Sequence, residues 1–245
     1  MERILVLGAY SGIGQAVLNI LAKRNSKLFL VGRDQEKLRI VEEHLRVVGN
    51  SELFYFAMDL NEIESHKELL EKAIKQMNGL DTVFVCYGIL PNQRELEQNP
   101  DKSIENYYTN ALSTIHFVSL AANYFEAMHK GTIAVVTSVA GDRGRKSNYF
   151  YGSAKGCVDI FLEGLRHRLF GKNVKVVTIK PGVVDTPMTK DLDKKVFVSQ
   201  PEEVAKDIVR ALESNKDVVY TPWFWKYIMK VIRLMPSKIF YRLDF

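Results

Sequence analysis

The sequence predicts an α/β fold, a doubly wound parallel sheet with helices on both faces, and three observations lead there. Short apolar, β-branched runs recur at Ile4–Leu7, Leu28–Val31, Leu53–Met58, Thr82–Cys86, Thr132–Val136, Val174–Ile179 and Val218–Tyr220. Segments of helical period separate them, at about 13–24, 35–48, 62–77, 102–128, 150–170 and 201–214. The runs are apolar nearly throughout instead of alternating, which is the pattern of strands covered on both faces. Right-handed crossovers between successive strands then wind the sheet in both directions. No internal repeat, low-complexity tract or Pro/Ser-rich linker interrupts the pattern. One domain is expected over residues 1–221, with 222–245 as a C-terminal amphipathic extension.

Composition bounds the function. The chain has 245 residues, 47% hydrophobic and 26% charged, a globular balance long enough to close one sizeable core. No apolar run reaches the ~18 residues that span a bilayer. Met1-Glu2-Arg3 leads straight into a strand-like run, unlike a signal peptide. Cys86 and Cys157 sit in apolar stretches and are expected to be buried thiols in a reducing, cytoplasmic compartment. The net charge is +5, but residues 223–245 hold a net of +4, with Lys226, Lys230, Arg233, Lys238 and Arg242 against Asp244 alone. The remaining body is nearly neutral, which speaks against nucleic acid as a partner. Five scattered histidines show no metal-ligand spacing, and no metal is expected.

Gly8-Ala9-Tyr10-Ser11-Gly12-Ile13-Gly14 follows the first strand and opens the first helix. Glycines at 8, 12 and 14 allow a tight turn and let backbone N–H groups and the helix N-terminus approach a pyrophosphate, as in a Rossmann-type dinucleotide site. The spacing is G-x-x-x-G-x-G and not the commoner G-x-G-x-x-G. The second strand ends in Gly32-Arg33-Asp34. A carboxylate at that tip would hold the ribose 2′-OH of NAD; Arg33 instead suits the 2′-phosphate of NADP, with Asp34 free to cap the next helix. NADP(H) is therefore favoured over NAD(H). Asp59-Leu60 closes the third strand, where Asp59 either touches the adenine or caps the helix after Asn61.

Tyr151 and Lys155 fall four residues apart, on one face of a helix. A phenol with its ordinary pKa near ~10 is a poor catalyst at neutral pH, and a neighbouring ammonium is expected to lower it. Ser138, thirteen residues upstream of Tyr151 at the end of the fifth strand, is placed to bond a substrate oxygen. Together with Asn110 and Pro181-Gly182-Val183-Val184-Asp185-Thr186, these motifs resemble the short-chain dehydrogenase/reductases in order and spacing, from about residue 3 to 220. The resemblance implies an NAD(P)-dependent oxidoreductase. Tyr151 would be the general acid/base, Lys155 its tuning cation and a ribose ligand, Ser138 the carbonyl ligand, and Asn110 the holder of a relay water. It also implies cofactor contacts from Tyr10, Ser11, Ile13, Leu60, Gly88, Pro181, Gly182, Val184 and Thr186, and assembly as a homo-oligomer. Two departures stand out: Leu7 where many members have Thr, and Cys86-Tyr87-Gly88 in place of Asn-Asn-Ala-Gly.

Tyr87-Gly88-Ile89-Leu90, Ala140-Gly141-Asp142-Arg143, Ser147-Asn148-Tyr149 and the tail from Pro222 to Phe240 are similar, more narrowly, to reductases of polyprenylphosphoryl-linked keto-pentoses. That likeness implies a lipid-linked carbonyl substrate and a flavin-dependent oxidase as partner. Arg143, Arg145 and Asn148, between Ser138 and Tyr151, are the substrate-binding candidates. The arginines meet either a substrate phosphate or only solvent, as does Lys146. In the tail, Lys226, Lys230 and Arg233 form one basic stripe on an aromatic and aliphatic helix that Pro236 stops. Such a helix either lies at the inner face of a membrane or packs over the cleft or a sister subunit. A short-chain reductase of soluble carbonyls is the alternative reading, and a non-catalytic NADP sensor the minor one.

Overall fold

The computed structural model describes residues 1–190, 192 and 197–243. Asp244, the acid set against the cations of the tail, lies outside the described residues. Seven strands, β1 (Arg3–Leu7), β2 (Lys27–Gly32), β3 (Glu52–Ala57), β4 (Thr82–Val85), β5 (Gly131–Val136), β6 (Val174–Pro181) and β7 (Val218–Thr221), form one sheet in the order β3-β2-β1-β4-β5-β6-β7. Every neighbouring pair is parallel. The winding reverses between β1 and β4, and the crevice this opens at the strand C-termini is where such sheets bind ligands.

The strand pattern divides the core. Leu5, Leu7, Phe29, Val31, Val83, Val85, Ile133 and Val135 point to one face, under α3 (His66–Met77), α6 (Ser113–Met128) and α7 (Tyr149–Arg168). Ile4, Val6, Leu28, Leu30, Phe84, Ala134, Val177 and Ile179 point to the other, under α1 (Gly12–Leu21), α2 (Gln35–Val48) and α8 (Pro201–Glu213). Side-chain alternation thus buries both faces, which is why the strands read as continuous apolar runs. The helices start on local signals. Ser11 Oγ accepts from Gly14 N at 3.0 Å, Asp34 Oδ1 accepts from Lys37 N at 3.1 Å, and Pro201 occupies the first turn of α8.

Two helical features depart from expectation. A short helix, α4 (Gln93–Gln98), precedes α5 (Ser103–Tyr107); it is polar but for buried Leu96 and so has no period to read. The helix expected over 102–128 is broken by a π-helical turn at Tyr108–Leu112, which joins α5 to α6. Cys86 is buried, but Cys157 is exposed, because α7 turns Ala154, Val158, Leu162 and Leu165 inward and residue 157 outward.

Beyond β7 the chain turns through Pro222 into α9 (Trp225–Leu234) and α10 (Ser237–Phe240). Trp225 and Met229 are buried against Val139, with Tyr220, Phe224, Ile228 and Ile232 packed around them, so the tail has a small core of its own against the body. Among the described residues no helix is long and apolar enough to cross a membrane.

Candidate active site

A cleft of about 590 Å³ runs along the C-terminal ends of the strands. At its phosphate end, Gly8 takes a left-handed φ of +95°, turning the chain out of β1 so that Tyr10, Ser11, Gly12 and Ile13 wall the cleft. Ser11 uses its hydroxyl on Gly14 N and its carbonyl on Gln15 N, and the N–H groups of Gly12 and Ile13 have no acceptor among the described residues. Those two donors at a helix N-terminus suit an anion. A Cβ on Gly12 would stand 2.7 Å from the Thr186 methyl, so glycine alone keeps the passage between α1 and the Pro187–Thr189 turn open. This loop fits a dinucleotide pyrophosphate. Gly14 is a correction: it lies beneath the loop, against the Gly8 carbonyl and Ser11 hydroxyl, and does not line the cleft. Its part is to pack α1 onto the sheet.

At the tip of β2, the Tyr10 ring lies over Gly32, and the Tyr10 hydroxyl accepts from Arg33 N at 3.2 Å. Arg33 and Lys37 both line the cleft, and Lys37 Nζ stands 5.7 Å from the Tyr10 ring centroid. Asp34 does not line the cleft; it caps α2 and pairs with Lys37 at 3.5 Å. Sequence reasoning missed Lys37, although its place one turn after the Asp34 cap signalled it. Asp59 lines the cleft and accepts from Asn61 N at 2.9 Å, but it caps no helix, because the next helical turn starts at Ile63 with Glu62 at its cap position. The Leu60 carbonyl is held by His66 Nε2 at 2.8 Å and by the Ser113 hydroxyl, fixing the wall on which the adenine would rest.

Ser138, Tyr151 and Lys155 converge in the middle of the cleft. Ser138 Oγ accepts from Ala140 N at 3.1 Å, and its hydroxyl lowers the pKa of the neighbouring Tyr151. Lys155 Nζ lies 5.8 Å from the Tyr151 ring centroid. Burial pushes Tyr151 up to about 12, against the lowering effect of Ser138. Removal from water dominates the Tyr151 hydroxyl, and the Asp159 charge adds to its effect. Burial also brings Lys155 down to about 8, opposed by the charge of Asp159. At neutral pH the phenol is protonated and the amine mostly charged.

Asn110 sits in the π-helical turn and is fully buried. Its Oδ1 accepts from Ile89 N at 3.1 Å, and its Nδ2 donates to Ile89 O and to Asn106 Oδ1, both at 2.8 Å. Both amide hydrogens are thus spent on protein, so the side chain clasps the loop after β4 and does not line the cleft. A Cβ on Gly88 would lie 2.5 Å from Asn110 Oδ1 and 3.3 Å from Lys155 Nζ, so this position leaves no room for a side chain. Pro181, Gly182, Val184 and Thr186 line the cleft as expected.

The substrate end is built otherwise than expected. Arg143 is committed to the tail: it donates to the carbonyls of Ile232 and, at 2.8 Å, Met235, and its guanidinium lies 3.8 Å over the Phe240 ring. It caps the C-terminus of α9, where a cation is favoured, and so is not a phosphate ligand. Arg145 and Asn148 do not line the cleft either; Arg145 Nε and Asn148 Oδ1 are buried without a hydrogen-bond partner among the described residues. Behind Lys155 lies a buried ion cluster that sequence reasoning missed. Lys180 Nζ bonds Asp142 and, at 2.8 Å, Asp159 Oδ2, and the Tyr220 hydroxyl donates to Asp142 Oδ2 at 2.8 Å. Burial works against the Lys180 ammonium, but the two carboxylates hold its pKa above the ordinary value. The signal was Asp159, one turn beyond Lys155 on α7. Among the described residues, no group of three His, Cys, Asp or Glu gathers as a metal site.

The family described as short chain dehydrogenase matches residues 2–196. The chain belongs to this family. An uncharacterised oxidoreductase of Mycobacterium tuberculosis H37Rv is 28% identical to this short-chain dehydrogenase over 98% of the chain and 96% of the relative. One from Streptomyces coelicolor is 30% identical over 98% and 95%. Among solved structures, a Burkholderia cenocepacia short chain dehydrogenase in complex with NADP superimposes with a TM-score of 0.83 at 20% identity, covering all of both chains. An alcohol dehydrogenase from the archaeon Thermococcus sibiricus, complexed with 5-hydroxy-NADP, gives 0.78 at 21%, covering 90% and 96%. The Mycobacterium, Streptomyces and Burkholderia likenesses run over nearly the whole chain, the tail included.

Proposed function

We propose that this short-chain dehydrogenase is an NADPH-dependent reductase of a keto group, carried by a polyprenylphosphoryl-linked keto-sugar. The observation that carries the reductase reading is the convergence of Ser138, Tyr151 and Lys155 beside the α1 phosphate loop. The loop at Gly8–Ile13 and Arg33 would hold NADPH, which when bound would supply the hydride. Ser138 binds the substrate oxygen and orients the carbonyl. Tyr151, protonated because it is buried, donates its proton to that oxygen. The Lys155 ammonium stabilises the phenolate left behind, and a proton from solvent restores the phenol. Asn110 positions the Ile89 loop over Lys155. NADP is favoured over NAD because Arg33 and Lys37 face the cleft at the β2 tip while Asp34 is spent as a cap.

The lipid-linked substrate is supported by the narrower sequence likeness and by exposed apolar surface adjoining the cleft. A second reading, a soluble carbonyl, is favoured by one observation: Arg143, the candidate phosphate ligand, serves the tail instead. The two separate in one experiment. NADPH consumption is followed with polyprenylphosphoryl-ribose and a flavin-dependent oxidase that makes the ketone in situ, beside a panel of soluble ketones. Consumption that depends on the lipid-linked ketone supports the proposal. Turnover of soluble ketones alone assigns the second reading.

A further inference from the structure

The face of α9 turned away from the body is an amphipathic surface with no partner among the described residues. Trp223, Tyr227, Val231 and Leu234 are 71%, 60%, 63% and 74% exposed, although their side chains are large and apolar. They recur at i, i+4, i+8 and i+11, which places them in one stripe along the helix. The opposite face is already used, with Trp225 and Met229 buried and Ile228 and Ile232 half-buried. Lys226, Lys230 and Arg233 border the apolar stripe along its length, and residues 222–243 contain no acid. No ion pair involves Lys226 or Lys230 among the described residues. Beyond Pro236 the apolar surface continues through Ile239 and Tyr241, 53% and 79% exposed.

We propose that this face of α9 docks on an anionic lipid bilayer, with Trp223, Tyr227, Val231 and Leu234 at the acyl boundary and Lys226, Lys230 and Arg233 against the headgroups. Charge complementarity selects that occupant. Adjacent apolar and cationic stripes on a rigid helix match the depth profile of a bilayer interface, where rings and aliphatic chains sit below the phosphates. A second copy of the chain packed antiparallel on the same face would bring two basic stripes together with no acid in the described tail to separate them. Arg143 and Phe240 hold the helix on the body before it meets lipid, so docking does not require the helix to order.

The docking face also leads to the cleft. Edge-to-face rings run from Tyr227 to Trp223 at 5.9 Å, from Trp223 to Phe224 at 6.2 Å, and from Phe224 to Phe197 at 5.6 Å. Phe197 belongs to the segment after β6, whose Met188 lines the cleft and is itself 42% exposed. A bilayer seated on α9 therefore adjoins the cleft mouth. That link to turnover rests on the lipid-linked substrate proposed above, whereas the docking surface does not.

The test is co-sedimentation of the full chain with phosphatidylcholine vesicles, with and without phosphatidylglycerol, at low and high salt. Binding is expected only when phosphatidylglycerol is present, and it should weaken with salt. Lys226→Glu/Lys230→Glu and Tyr227→Ser/Leu234→Ser should each lower the bound fraction at least about tenfold. Phe170→Ser, which alters an equally exposed residue at the far end of α7, should leave it unchanged. All three variants alter exposed side chains, and retained NADPH binding establishes that they are folded. Wild-type protein that stays in the supernatant, or variants that bind like wild type, would overturn the proposal. So would loss of oligomer in light scattering on Tyr227→Ser/Leu234→Ser without vesicle binding, which would give the face to a second copy. No turnover is measured, so a wrong substrate assignment cannot imitate failure here.

Discussion

At the phosphate end of the cleft, the residues that shape the loop are sequence neighbours; Gly8 N and Ala9 N tie it to Val31 O on β2 and Arg33 N to the Tyr10 hydroxyl, and its other bonds span a single turn: Ser11 to Gly14, Ser11 to Gln15, Asp34 to Lys37. At the substrate end, every decisive contact joins distant parts of the chain. Arg143 reaches Met235, Lys180 reaches Asp142 and Asp159, Tyr220 reaches Asp142, and Gly182 lies so close to the Trp225 indole that a Cβ would stand 1.9 Å from its nitrogen. The first end is mostly a local backbone device, made by one strand–turn–helix and steadied by the strand beside it. The second exists only once the sheet, α7 and the tail have met, and its stability is inseparable from that of the whole fold.

Four measurements press on that contrast, beginning with the largest effect. Tyr151→Phe removes the proposed proton donor between the two ends; turnover should fall about 10²–10⁴-fold while NADPH affinity, read by fluorescence titration, stays close to wild type. Undiminished turnover would take Tyr151 out of the mechanism. Lys180→Met leaves Asp142 and Asp159 facing each other in a buried site, and urea unfolding should register a loss of about 3–5 kcal/mol. A loss below about 1 kcal/mol would mean that the cluster is not the keystone of the substrate end. Ser11→Ala, the corresponding cut at the phosphate end, should cost only about 1 kcal/mol by the same measurement, because one cap is lost and no charge is left unpaired.

The smallest effect is in pH. The Lys155 ammonium is favoured below its value of about 8 and lost above it, while Tyr151 at about 12 keeps its proton throughout. kcat/KM should therefore be flat below neutrality, halve near pH ~8 and fall further as pH rises. Asp159→Asn removes a charge that holds the Lys155 proton, so the break should move to lower pH. A break that stays in place would uncouple the buried cluster from the catalytic lysine.

The same contrast governs how much could be read before the structure. All seven strands and the glycine loop were legible, because buried parallel strands and a helix N-terminus write themselves in consecutive residues. Ser138, Tyr151 and Lys155 were legible because two of them share a helix face and the third ends a strand. Arg143 was open between a substrate phosphate and solvent, and nothing near it in sequence reveals that its partners are carbonyls roughly ninety residues on. Lys37 and the π-helical turn around Asn110 escaped for a subtler reason. A solvated-looking cation and one extra residue in a helical turn leave the hydrophobic period almost intact. The tail helix and its basic stripe were read from local spacing, but which of its faces stays uncovered depends on Val139 and Tyr220, which only the fold brings there.

Both tryptophans of the chain stand side by side in the tail, and they occupy opposite environments: Trp223 is 71% exposed, while Trp225 is buried with its indole against Gly182 at the cleft wall. The intrinsic fluorescence of this protein is therefore a two-channel optical report from one short segment. Emission from Trp225 overlaps the absorption of a reduced nicotinamide bound past Gly182, so energy transfer would count cofactor occupancy. Emission from Trp223 would shift to shorter wavelength only when water leaves the outer face. The two events can thus be timed against each other in a single cuvette, without a label or a mutation.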